Sequence, residues 1–188
     1  MITNDDGIDA DGIVRLARAA IEFGEVWVVA PDNQRSAMSH SITLRHSIDA
    51  WKVEFPVPGV HAYACDGKPA DCVRIGALNI VPGKPDHVFS GINYGYNAAS
   101  DLQYSATAGA AFEASFQKIH AIAFSEGACE NHEVTDRYLK EIIAETIVSE
   151  GRISYMVEGI RNYNAEEGTD LKVIFDHFVS IGIATNIS

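Results

Sequence analysis

The 188 residues predict an α/β fold built on a doubly wound, mostly parallel sheet. Three observations carry this. Apolar runs of strand length alternate with stretches of helical period. The early runs lead into loops rich in Gly, Asn, Asp or Ser. The first of these loops, Asn4-Asp5-Asp6-Gly7, sets two adjacent carboxylates at the carboxyl end of an apolar strand, the edge at which open α/β sheets bind ligands. A chain of this length can bury a sizeable core as one domain. A single domain over residues 1–188 is expected, with a core at about 1–148 and a C-terminal extension at about 149–188.

A turn that begins at Asp5 lets both carboxylates converge on one hard cation, and magnesium or manganese is the natural occupant. Asn, Asp and Gly also make ordinary turns and helix caps, so the pair alone leaves both readings open. Asp11 is placed to cap a helix with Ile13, Leu16, Ala17, Ala20 and Ile21 on one face and Gly24 at its end. Glu25 to Ala30 reads as a second buried strand, stopped by Pro31. No GxGxxG follows the first strand, so a dinucleotide fingerprint is absent.

The hydroxyl-rich loop Asp32 to Ser41, with Arg35, Ser36 and His40, is expected beside the aspartate turn. Ser41 to Val60 alternates weakly around Trp51, Val53 and Phe55, which suggests a peripheral antiparallel excursion. Val60 to Cys65 returns as a strand, and a helix with Pro69 near its first position runs to about Ile80. Asp71 in its first turn suits the helix dipole or a site role.

Asp86 to Ser90 is a short apolar strand feeding an uncharged glycine and asparagine loop, Gly91 to Asn97. Ser105 and Thr107 then stand at the start of a helix of small residues, Ala108 to Phe116. Hydroxyls and amides at such a start form an anion site for a phosphoryl group; either residue also serves as a simple cap. Ile119 to Phe124 is the next strand, with His120 expected as a satisfied core residue. His132 to Val148 is an amphipathic helix covering the sheet, with Val134, Tyr138, Leu139, Ile142, Ile143 and Ile147 on its apolar side. Ile153 to Glu158 and Phe178 to Ile183 look like strands.

With 47% hydrophobic and 21% charged residues, the composition is that of a globular protein. No apolar run approaches the roughly 18 residues of a membrane span. The formal charge of -12 opposes tracking of polymeric nucleic acid, which needs many Lys and Arg contacts to phosphate. Small phosphorylated substrates remain open, because a divalent ion supplies local positive charge. Cys65, Cys72 and Cys129 have neither zinc nor redox spacing, which fits reduced thiols in the cytoplasm.

Six stretches in one order are Thr3 to Ile8, Ala30 to Ser36, His40 to Thr43, Gly67 to Cys72, Ser90 to Asn93 and Tyr104 to Thr107. Together they resemble the motifs of the SurE family of stationary-phase survival proteins, closely over about residues 1 to 125. Val179-Ser-Ile resembles the late strand of that family. The resemblance implies a Rossmann-like core and a metal-dependent phosphomonoesterase acting on nucleoside 5'-monophosphates, with 3'-nucleotides and short polyphosphate as further substrates. It implies one divalent metal ion per subunit, held by Asp5, Asp6, Ser36 and Asn93, and an anion-holding loop at Gly91, Asn97, Ser105 and Thr107. Asn4 joins that substrate-binding set, and either aspartate is a candidate proton acceptor.

The chain departs from the family at Ala106, where glycine is common, and at Tyr94-Gly-Tyr-Asn97, where a smaller or proline-containing loop is usual. Family members are also longer, with a hairpin and a C-terminal segment exchanged between subunits. A homodimer or dimer of dimers is therefore expected, with a break in the backbone between Ile147 and Ile153 or between Asn164 and Phe175. Two other classes compete. One is a phosphoenzyme-forming phosphatase with Asp5 as nucleophile, whose usual second aspartate would fall at Gly7. The other is a non-enzymatic nucleotide-binding or flavodoxin-like module.

Overall fold

Alternating apolar runs and turn residues place six strands and four helices in the computed structural model, which describes residues 1–128 and 130–148. The strands are β1 (Ile2–Thr3), β2 (Trp27–Pro31), β3 (Ala50–Val53), β4 (His61–Cys65), β5 (His87–Tyr94) and β6 (His120–Glu126). They form one sheet in the order β3-β4-β2-β1-β5-β6, parallel except where β3 pairs antiparallel with β4 at the edge.

The helices are α1 (Asp11–Ala20), α2 (Pro69–Ile75), α3 (Ala106–Phe116) and α4 (Glu133–Val148). α1 packs with α4 over a core that includes Ile2, Ile13, Leu16, Val28, Leu139 and Ile143. α2 packs with α3, and Val73, Val88, Ala110 and Ala114 form a second core there. Full burial of one such Val, Leu or Ile contributes about 1.5–3 kcal/mol, so the two cores hold the sheet rigid between helical layers. The chain winds outward from β1 through β2 to β4, then crosses back to place β5 on the other side of β1. That reversal opens a crevice at the carboxyl ends of β1 and β5, where a sheet of this kind takes its ligand.

Several local expectations change. Asp11 does not cap α1: the cap position is Ala10, without a side-chain bond, and the Asp11 carboxylate lies 3.7 Å from Arg15 one turn on. α2 gives way to a π-helical turn at Gly76–Ile80. β5 does not stop at Ser90 but continues to Tyr94, because Asn93 and Tyr94 still pair with Ser125 and Glu126 after a register shift. Gly91 makes this possible, with φ at 141° and its Cα so close to β6 that a Cβ would overlap the Phe124 carbonyl.

His120 is exposed at the first position of β6, its ring 5.9 Å from that of His87, and is not a core residue. The apolar side of α4 is narrower than its sequence suggests, since Leu139 and Ile143 are buried while Val134 and Tyr138 are exposed. Tyr138 instead carries the Arg137 guanidinium over its ring at 5.4 Å. The strands expected at 153–158 and 178–183, and the two candidate backbone breaks, lie outside the described residues.

Candidate functional site

The turn after β1 is shaped from within. Asn4 is fully buried and its amide donates to the Gly7 carbonyl at 2.8 Å, closing the loop that carries the aspartates. Gly7 turns at φ 103°, and a Cβ there would press to 3.3 Å on the Asn33 backbone. Asp5 points inward and is 3% exposed, while Asp6 is only half-buried.

The loop after β2 lies against this turn. The Arg35 amide donates to the Asp5 carbonyl at 2.6 Å. The Gln34 side-chain amide donates to Asp6 Oδ1 at 3.4 Å and to Ser36 Oγ at 3.2 Å, so Asp6 and Ser36 share one donor. The loop then passes through Ala37 and Ser39, both with φ above 50°. A left-handed conformation costs a residue with a Cβ about 1–2 kcal/mol, so neighbouring contacts must hold it.

The end of β5 supplies the third side. The Tyr94 amide donates to Asp6 Oδ2 at 2.9 Å, which ties the end of β5 to the aspartate turn. Asn93 turns its amide nitrogen to the Gly95 carbonyl at 2.7 Å, leaving its oxygen for another partner. Asn97 is drawn toward β6 by a bond to Ser125 at 2.9 Å.

The fourth side is the start of α3. Ser105 caps it, accepting from the Ala108 amide at 3.1 Å. Thr107 is fully buried and donates its hydroxyl to Asp5 Oδ1 at 2.6 Å. The four segments that carry Asp5 and Asp6, Ser36, Asn93, and Ser105 and Thr107 are thus tied to one another through Asp5 and Asp6, while the Asn93 and Ser105 side chains bond locally. Gly91 lies within β5 and Asn4 beneath the turn, where both shape the backbone.

Nothing in the sequence singles out Gln34 among the polar residues of its loop. Tyr94, Tyr96 and Tyr104, along the chain between β5 and α3, are exposed at 58%, 46% and 60%. Their density over 94–104, where Asp101 is the one charged residue, is the available signal. Below the crevice, Thr3 Oγ1, Asn4 Oδ1 and Ser90 Oγ are buried with no hydrogen-bond partner among the described residues. Thr3 and Ser90 are register partners on the paired strands β1 and β5, so these groups lie where the winding of the sheet reverses.

Burial pushes the Asp5 carboxyl up to about 6 from an ordinary 3.8, the Thr107 hydroxyl works against that rise, and the Asp6 charge adds to it. A desolvated carboxylate beside a second one is relieved by a cation. Two carboxylates with neutral hydroxyl and amide oxygens make a donor set suited to a hard divalent ion. Among the described residues no three His, Cys, Asp or Glu side chains gather as a metal cluster. A divalent cation held by both carboxylates would be balanced in charge with no third carboxylate to repel an incoming anion, and the first turn of α3 adds amide donors that favour one.

Over residues 1–173 the chain matches the family described as Survival protein SurE. A protein named 5'-nucleotidase SurE from Clostridium botulinum (strain 657 / Type Ba4) is 42% identical over 147 residues, which cover 76% of this chain and 58% of the relative. One of the same name from Geotalea uraniireducens (strain Rf4) is 46% identical over 125 residues, 66% of this chain and 48% of the relative. The chain thus spans about half the length of the curated relatives it matches. The crystal structure of a SurE protein from Aquifex aeolicus superposes with a TM-score of 0.85 at 29% identity, covering 100% of this chain and 93% of that one.

Proposed function

Because the chain belongs to the SurE family of survival proteins, we propose that it is a metal-dependent phosphomonoesterase that hydrolyses nucleoside 5'-monophosphates to nucleoside and phosphate. The relatives named 5'-nucleotidase SurE support this reading. 3'-Nucleotides and short polyphosphate are proposed as further substrates. The observation that carries the reading is the bond from Thr107 to Asp5, which joins a carboxylate pair to an anion-attracting helix start in one rigid unit.

Asp5, Asp6, Ser36 and Asn93 would hold one divalent cation, magnesium or manganese, which supplies positive charge against the phosphoryl oxygens and acidifies a water. The chain's own residues do the rest. Ser105 and the first amides of α3 orient the phosphoryl group, Thr107 holds Asp5 in place, and a carboxylate of the pair accepts the proton of the attacking water. Half-buried Asp6 is the more open of the two. The burial of Asp5 disfavours the phosphoenzyme reading, since a nucleophile at 3% exposure, pinned to Thr107, has little approach to phosphorus.

The working form is proposed to be a single-domain subunit in a homodimer or dimer of dimers, in the cytoplasm. The free thiols of Cys65 and Cys72 are consistent with that compartment.

The test is phosphate release from a panel of 5'- and 3'-nucleotides and short polyphosphate, after chelation and again with added manganese or magnesium. Release that requires the metal is the expected result. Nucleotide binding that is independent of metal and yields no phosphate would favour the non-enzymatic module instead.

A further inference from the structure

Glu113 lies six residues beyond Thr107 on α3, about 9 Å along the helix axis, and is buried. Its Oε1 accepts from Arg74 on α2 at 3.0 Å and from Gln117 at 3.1 Å. Its Oε2 is 2.9 Å from Nε2 of His40, on the loop that carries Ser36. One carboxylate therefore joins two helices to the loop after β2.

The loop is pressed onto α3 at the same place. Gly109 faces it so closely that a Cβ would overlap the Ser39 carbonyl and stand 2.9 Å from the His40 Cα. Ser39 donates its amide to the Tyr104 carbonyl at 3.0 Å and its hydroxyl to the Gln103 carbonyl at 2.7 Å. The His40 ring stacks on Phe116 at 5.4 Å. These contacts surround the two left-handed residues, Ala37 and Ser39, that follow Ser36. Such backbone persists only where its surroundings over-determine it.

We propose that Glu113, acting through His40, is a positioning residue that locks the Ser36 loop onto α3 and sets where Ser36 stands relative to Asp5 and Asp6. This rests on the reading of Ser36 as a cation ligand. Neither Glu113 nor His40 touches the reacting groups; their effect reaches the site through the loop backbone. Partners that hold a metal ligand in place are worth about 10–100-fold in metal affinity.

Manganese is titrated by calorimetry into the full chain and into His40→Ala, Glu113→Ala, Glu113→Gln, the His40→Ala/Glu113→Ala double variant and Ser36→Ala. Loss of His40 or of the Glu113 carboxylate is expected to weaken manganese binding about tenfold. The double variant should be no worse than either single change, because the two act as one unit. Glu113→Gln, which keeps the shape and one accepting oxygen, should recover part of the affinity, whereas a purely structural role would lower the melting temperature and leave manganese binding unmoved. His40 is half-buried on a loop, so its variant decides the matter even if Glu113→Ala does not fold. Wild-type affinity in His40→Ala, with Ser36→Ala weakened, overturns the inference. Wild-type affinity in Ser36→Ala overturns the ligand reading and the inference with it.

Discussion

The hydroxyl of Thr107 donates to Oδ1 of Asp5 at 2.6 Å, across 102 positions of sequence. It ties the first turn of α3 to the turn after β1, and both residues are shielded from solvent. Thr107→Val keeps the volume and removes the donor, and losing a hydrogen bond to a charged group costs about 1.5–3 kcal/mol. The variant should melt several degrees lower, and kcat/KM for a nucleoside monophosphate should fall about 10–100-fold. Thr107→Ser should restore most of both. Wild-type turnover in the valine variant would remove Thr107 from the machinery.

Asp5 carries a cost that the metal-free protein must bear. Its folded pKa is raised to about 6 from 3.8, chiefly by burial. The folded chain therefore keeps a proton that the unfolded chain releases between those values. The cost is absent below about pH 3.8, grows through the window and is complete above about pH 6. In chelator-treated protein at about pH 7.5, Asp5→Asn should be more stable than wild type by about 1–3 kcal/mol. The gain should shrink as the pH falls from about 6 toward 4, while metal-dependent phosphate release is lost. Thermal melts across that range measure it, and a variant less stable than wild type at every pH would contradict it.

Tyr94 is joined to Asp6 through its backbone amide, yet its ring is exposed beside the crevice. An exposed aromatic ring on a residue whose backbone is bonded to Asp6 suits stacking on a nucleobase. Removing an aromatic that stacks on a base costs about 1–3 kcal/mol. Tyr94→Ala should raise KM for nucleoside monophosphates about tenfold and leave ribose 5-phosphate unaffected. An equal rise for both substrates would assign the loss to Asp6 and not to the base.

Arg15 is nearly buried between α1 and the start of α4, 2.6 Å from Glu126 and 2.6 Å from Asp136. Arg15→Met would leave the buried Glu126 carboxylate without its main partner, which costs about 3–5 kcal/mol. Urea unfolding should show this loss, and adding Glu126→Gln should recover much of it. A loss under about 1 kcal/mol would mean that water reaches Glu126 once Arg15 is gone.

The double winding, the carboxylate pair at the end of β1 and a hydroxyl cap at Ser105 or Thr107 are legible in the sequence because each depends on local chemistry; the structure assigns the cap to Ser105. Hydrophobic period distinguishes strand from helix, and Asp, Asn, Gly and Ser mark turns and caps by bonds within a few residues. The sequence also marked Thr107 as a site residue, but not that its proton goes to Asp5. Nothing local announces that Gln34 bridges Asp6 and Ser36, that Arg15 is buried under Glu126 and Asp136, or that Glu113 reaches His40. The helical period places Val134 and Tyr138 on the apolar side of α4, yet both are exposed. Those outcomes depend on how α1, α3 and α4 are placed and rotated against the sheet. Periodicity indicates which face of a helix is apolar, whereas the width of the buried stripe and the partners of its polar neighbours are decided only when the elements pack.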